Sequence, residues 1–108
     1  MIFPISAALL DACVLSVLEK GDAYGYILTQ TMREVLDVSE SSLYPVLRRL
    51  QKDGSLSAYD SPWQGRNRRY YKITGEGREK LAGFRTEWAD YRDRVGRLIE
   101  GGETIAYV

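Results

Sequence analysis

The chain has 108 residues, 44% of them apolar and 28% charged, with fifteen bases against fifteen acids. That length is one domain of ordinary globular composition, too ordered in character to be a disordered segment. A core of this size buries roughly 65% of the unfolded surface, so a second subunit would help to stabilise it. The single Cys13 excludes an internal disulfide framework and a multi-cysteine zinc site. No stretch approaches the ~18 apolar residues of a membrane span. Residues 1–10 have no basic leader, so no signal peptide is expected and the expected address is the cytoplasm. Histidine is absent, which removes the commonest general base and metal ligand, and no glycine-rich phosphate loop precedes a helix. Neither enzyme chemistry nor a cofactor nor a metal is expected.

Leu9, Leu10, Cys13, Val14, Val17 and Leu18 recur at helical spacing and predict a first helix over about residues 5–20, ended by Gly21. Asp22 is suited to cap a second helix with apolar Tyr24, Ile27, Leu28, Met32, Val35 and Leu36. Gly25 within it costs up to ~1 kcal/mol relative to Ala, which a close helix crossing could offset. Ser39, Ser41 and Ser42 are all candidate N-caps for a third helix that stops at Asp53-Gly54. Pro45 requires either that this helix begin near Ser41 or Ser42 or that its first turn be distorted. Residues 55–61 and 68–73 alternate as strands of a hairpin, with residues 62–67 as a loop longer than the tight two-residue kind. Thr74 caps a fourth helix over about 75–100, Gly101-Gly102 ends it, and the last six residues read as a loose tail.

Three helices, a two-stranded ribbon and a final helix are the layout of a winged helix-turn-helix. The fold expected is α+β, mainly α, with a two-stranded β-wing and a long C-terminal dimerisation helix. Residues 1–74 would form the DNA-binding domain and 75–108 the dimerisation helix and short tail. Layout alone does not decide function, because winged helices that bind proteins also exist.

The charge is neutral overall and uneven along the chain. Residues 39–74 hold seven bases against three acids, and the remainder is acidic by the same margin. A basic centre in an acidic remainder is what a localised phosphate-binding face needs, although a solvated charged surface has the same composition. On the third helix, Leu43, Val46, Leu47 and Leu50 cluster on one side as the core face. The other side carries Ser41, Pro45, Arg48 and Lys52, flanked by Tyr44 and Arg49. Arg48 could meet a guanine in bidentate fashion, and Lys52 suits a phosphate. Tyr44 could equally be a half-buried tyrosine with its hydroxyl in water. Along the hairpin, alternation puts Arg68 and Tyr70 on one face and Arg69 and Tyr71 on the other. Arg66, Arg68 and Arg69 near the tip could reach a DNA backbone or minor groove, while Arg69 could instead pair with Asp60. Trp63 should fold back on the wing.

In the fourth helix Leu81, Phe84, Trp88, Tyr91, Val95 and Leu98 follow a 3-4 spacing over almost three heptads. A helix of about 25 residues is ~38 Å long, longer than the domain is wide. Its outer part therefore needs a partner, and a homodimer is expected, which would carry two recognition helices suited to a palindromic operator. Trp88 and Tyr91 are either interface anchors or the walls of a gap that takes a flat aromatic ligand.

Several stretches together resemble the PadR family of bacterial transcriptional regulators: residues 18–26 (LEKGDAYGY), 42–50 (SLYPVLRRL), 52–54 (KDG), 68–74 (RRYYKIT) and Gly77-Arg78. The resemblance spans about residues 9–82, and the length is similar to the short form with one dimerising helix. It implies a winged-helix homodimer that represses its target promoters. It implies DNA contacts at Tyr24, Ser42, Tyr44, Arg48 and Lys52 and wing contacts at Arg66 and Arg68. It also implies that an aromatic effector between subunits would meet Trp88, faced by Asp11, Ala12 and Leu15 of the first helix. The wing, Gly65-Arg66-Asn67-Arg68, is poorer in glycine than many members. The competing reading, prompted by the neutral charge, is a winged-helix protein-interaction module without a DNA target.

Overall fold

A computed structural model describes residues 3–102. The tail expected over the last six residues lies outside the described residues. The elements are α1 (Ala7–Glu19), β1 (Ala23–Tyr24), α2 (Gly25–Leu36), α3 (Glu40–Lys52), β2 (Leu56–Trp63), β3 (Arg66–Ile73) and α4 (Gly75–Ile99). Helix α1 starts where Ser6 Oγ accepts a hydrogen bond from the Leu9 amide, satisfying one of the free N–H groups of its first turn. Leu10, Val14, Leu15 and Leu18 then form its buried face.

The start of α2 differs from the sequence expectation. Asp22 does not cap it; the chain runs straight from β1 into the helix, and the N-cap position is Tyr24, without a side-chain bond. The Asp22 carboxylate instead accepts from the Tyr59 hydroxyl at 2.6 Å. A short strand thus displaces the helix start by two residues. Gly25 is the first helical residue, and its neighbour is the Tyr71 ring of β3, 3.2 Å from where a Cβ would stand, rather than another helix.

Of the three serines, Ser39 is the N-cap of α3, its Oγ accepting from the Ser42 amide at 3.3 Å. The helix therefore begins at Glu40, and Pro45 lies beyond its first turn. Proline brings no N–H, so the Ser41 carbonyl loses its usual i+4 donor. Pro45 and Ser41 are both exposed, so water can meet that carbonyl.

The sheet has three antiparallel strands in the order β1-β3-β2, one more than the ribbon expected. Residues 62–67 also depart from a long loop. Trp63 pairs with Arg66, and only Gln64-Gly65 connect the strands, with φ of 49° and 77°. Both are left-handed, the requirement of the tight turn whose twist matches that of the strands. Gly65 satisfies it freely and Gln64 at a steric cost.

Thr74 caps α4: its Oγ1 accepts from the Gly77 amide at 3.0 Å and donates back towards the Gly54 carbonyl at 2.6 Å. A Cβ at Gly77 would lie 2.2 Å from the Ser55 carbonyl oxygen, so only glycine lets the helix start so close to β2. The core joins α1, α2, α3, the base of the hairpin (Leu56 and Ile73) and Leu81 of α4. Phe84 packs against this cluster, and Arg85 holds both carboxylate oxygens of Glu19 at 2.8 and 3.0 Å. Further along α4, Trp88, Tyr91, Leu98 and Ile99 are 43%, 58%, 64% and 71% exposed.

Candidate nucleic-acid interface

The amphipathic division expected for α3 is present. Leu43, Val46, Leu47 and Leu50 are buried, and Ser41, Ser42, Tyr44, Arg48, Arg49 and Lys52 are exposed on the other side. Tyr44 is half exposed, so its ring as well as its hydroxyl is available. What separates the cations is their pairing. Arg49 donates to the Asp11 carboxylate of α1, which is only 9% exposed, and so ties the helix to the domain. Among the described residues Arg48 and Lys52 have no ion pair or hydrogen bond of their own.

The wing sorts its arginines the same way. Arg69 pairs with Asp60 across the hairpin at 3.7 Å, on the face that also carries Tyr71. Arg66 is exposed near the turn with no partner among the described residues. Arg68 lies on the opposite face from Arg69. Its guanidinium carbon is 4.5 Å from the Tyr24 ring centroid and 4.7 Å from that of Trp63. Trp63 is thus folded back on the wing, as expected, with the arginine beneath it.

Sequence reasoning placed Tyr70 on the face of Arg68 but missed Tyr59, which continues it. Tyr59 stacks on Tyr70 at 5.5 Å and 12°, and Tyr70 meets Tyr24 at 6.0 Å. The bond to Asp22, burial and the Asp22 charge all push the Tyr59 hydroxyl above the usual tyrosine range. The alternating tyrosines of residues 59 and 70 were a visible signal. The strand at residues 23–24 that brings Tyr24 beside them was not.

A second surface lies behind the interface. A groove of about 460 Å³ runs between α1, α2 and α4. Of the residues expected at an effector site, Ala12 and Trp88 line it. Asp11 and Leu15 do not: they point to the opposite side of α1, Asp11 towards Arg49 and Leu15 into the core. Helix geometry separates them, because one turn of 3.6 residues puts 11 and 15 in one row and 12 and 16 in the next. Tyr91 also lies outside the groove, with its ring 6.3 Å from that of Trp88. Cys13, Met32 and Val35 complete the apolar wall, and burial raises the Cys13 thiol above its ordinary value. Of the stripe on α4, Leu81 and Phe84 serve the chain's own core, while Trp88, Tyr91 and Leu98 are exposed and Val95 is half-buried. Among the described residues no group of three or more Cys, Asp or Glu side chains could hold a metal, and no helix is long and apolar enough to cross a membrane.

A helix with a polar outer face, held by a three-helix core beside a β-hairpin, defines a winged helix-turn-helix protein. Residues 14–83 match the model of the transcriptional regulator PadR-like family, and the chain belongs to that family. It is similar to the transcriptional regulator Rv3488 of Mycobacterium tuberculosis, with 36% identity over 84 residues, 77% of this chain and 75% of that one. The fold is similar to that of the protein smu.1704 of Streptococcus mutans UA159, with a TM-score of 0.86 and 37% identity over 98% of this chain and 100% of the other. It also matches a PadR-like transcriptional regulator from Bacillus cereus, with a TM-score of 0.77 and 32% identity over 84% and 91% of the two chains. The protein is therefore a transcriptional regulator rather than an enzyme.

Proposed function

We propose that the protein is a cytoplasmic homodimeric repressor that binds a palindromic operator and is relieved by a small aromatic effector at the subunit interface. Residues 1–74 read the DNA, and 75–108 hold the subunits together. The observation that carries this reading is the exposed polar face of α3, where Ser41, Ser42, Tyr44, Arg48 and Lys52 stand opposite a wholly apolar core face and Arg48 and Lys52 have no ion pair among the described residues. Tyr24, Arg66 and Arg68 extend that surface onto the wing. Arg49 and Arg69 are already paired within the chain, so they contribute less to the contact. The exposed Trp88, Tyr91 and Leu98 support the dimer, since a row of large apolar side chains on one helix is a surface that a second copy buries.

The test is fluorescence anisotropy on promoter fragments near the gene, with footprinting to find an inverted repeat. Arg48→Ala should weaken binding by roughly 1–3 kcal/mol and relax the base preference at one position of each half-site. Binding equal to wild type would remove α3 as the recognition helix, and no retention of any fragment at low salt would favour a protein-binding module. Sedimentation equilibrium reads the dimer. The effector is read by Trp88 fluorescence in a Trp63→Phe background, titrated with flat aromatic cations and phenolic acids. Saturable quenching, with calorimetric binding of the same compound lost in Trp88→Ala while the dimer stays intact, supports the pocket; no response leaves Trp88 as an interface anchor.

A further inference from the structure

The wing carries three arginines close together in sequence, and the structure treats each differently. Arg69 pairs with Asp60, and Arg66 has no partner among the described residues. Arg68 has neither an ion pair nor a side-chain hydrogen bond among the described residues: it is flanked by two aromatic rings, Tyr24 from β1 and Trp63 from β2. The register explains this. Arg68 sits on the central strand opposite Ser61, one step diagonally from Trp63 on β2 and from Tyr24 on β1, and all three project from the same face.

A guanidinium has two apolar faces and an edge of five N–H donors. With the Tyr24 and Trp63 rings both within 5 Å of its central carbon, the Arg68 guanidinium is confined, and among the described residues no acceptor meets its N–H donors. The group is therefore held near two rings, charged and without an acceptor. A free arginine loses rotamer freedom when it docks on a phosphate, whereas this one has lost it on folding. From this geometry we infer that Trp63 is a positioning residue. Together with Tyr24 it presets Arg68 edge-outward, so that the wing offers a ready two-pronged donor to a phosphate of duplex DNA. The inference rests on the DNA-binding reading above and adds to it a residue that need not touch DNA itself.

Affinity and its salt dependence should be measured for wild type, Trp63→Ala, Trp63→Phe, Arg68→Ala and the double variant Trp63→Ala/Arg68→Ala. Trp63→Ala should weaken binding roughly 2- to 10-fold for each wing engaged, the cost of immobilising one flexible side chain. Trp63→Phe, which keeps a ring face, should restore most of it. The salt slope should stay at the wild-type value in Trp63→Ala, because the charge remains, and fall by about 1 per wing in Arg68→Ala. In the Arg68→Ala background, removing Trp63 should cost nothing further. If Trp63→Ala costs the same with and without Arg68, or if Trp63→Phe is as weak as Trp63→Ala, the inference is overturned.

Should Trp63→Ala fail to fold, Arg68→Lys replaces it. That variant keeps the charge and loses the planar, stacking group, so weaker binding at an unchanged slope supports the inference and wild-type affinity overturns it. If wild type binds DNA and Arg48→Ala weakens it while the Trp63–Arg68 cycle is additive, only this inference falls. If wild type shows no salt-dependent binding, the DNA-binding reading falls with it.

Discussion

Removing Asp11 and removing Arg49 should cost unequal amounts of stability, although the two form one ion pair. The Asp11 side chain is 9% exposed and that of Arg49 44%. Replacing Arg49 with alanine leaves a carboxylate inside the domain without its partner. Such orphaned charges cost about 3–5 kcal/mol when fully buried. Here the departing arginine opens a path for water, so ~2–3 kcal/mol is expected. Replacing Asp11 with alanine leaves a half-exposed guanidinium that turns into solvent, a loss nearer ~1 kcal/mol and close to that of a surface pair. For a domain of this size each kcal/mol moves the melting temperature by about 4–8 °C, so Arg49→Ala should fall by roughly 10–20 °C and Asp11→Ala by roughly 4–8 °C. The double variant should be more stable than Arg49→Ala alone, because it has no orphaned carboxylate. The assay is thermal and urea unfolding at one protein concentration, since a dimer's melting temperature depends on concentration. Equal losses for the two single variants, or a double variant at their sum, would refute the reasoning. The same comparison bears on function: reduced DNA binding by Arg49→Ala would reflect a weakened domain, and the double variant tests a direct contact by Arg49.

Gly77→Ala should destabilise by more than ~3 kcal/mol, because a methyl group 2.2 Å from the Ser55 carbonyl oxygen forces α4 away from β2; a melting temperature within a few degrees of wild type would contradict the packing. Gln64→Asn should stabilise by roughly 0.5 kcal/mol, since asparagine tolerates the left-handed conformation at φ 49° better than glutamine, and urea unfolding reads it. Burial pushes the Asp53 carboxyl up, but hydrogen bonds from Lys80 and Ser55 and the Lys80 charge outweigh it and hold the group below its usual range. Its stabilisation is therefore present above about pH 4 and lost as pH falls through the lowered value, and Lys80→Met should flatten that acid limb of the melting curve. If the proposed dimer meets phosphates with Lys52, Arg66 and Arg68 of each subunit, the log–log salt slope for operator binding should be about −5 at ~0.9 per phosphate, and a slope near zero would remove the phosphate contacts.

The parts legible in the sequence were those written as periodicity. The core face of α3 and the heptad stripe of α4 are repeats of apolar residues, and the buried Leu43, Val46, Leu47 and Leu50 follow them. The Thr74 cap was equally readable, because a hydroxyl beside a helix start has few other roles. What could not be read depended on contacts distant in sequence. Asp22 has the chemistry of a cap, yet its partner is Tyr59, 37 residues away. Residues 62–67 read as a loop, but Pro62 lies on β2 at the sheet edge, where it need give up no ladder hydrogen bond, so the hairpin runs to its tip. The family resemblance implies that Asp11 faces Trp88, whereas its carboxylate is turned to Arg49, 38 residues on.

Pairing also resolves the apparent conflict between a neutral chain and a DNA-binding fold. Net charge counts every ion equally, but a phosphate meets only those cations that lack a partner at the surface it approaches. Several acids of this chain are occupied with bases other than Arg48, Lys52, Arg66 and Arg68: Glu19 with Arg85, Glu40 with Arg33, Asp53 with Lys80, Asp60 with Arg69. Asp11 holds Arg49 from inside the domain. Each such pair removes one acid and one base from the field that a ligand meets at close range. What remains on α3 and the wing is Arg48, Lys52, Arg66 and the ring-flanked Arg68, none with a carboxylate partner among the described residues. With a Debye length near 8 Å at physiological salt, this local excess rather than the distant balance sets the potential at the interface. The distribution of ion pairs, and not the isoelectric point, is what makes one face of a neutral domain cationic.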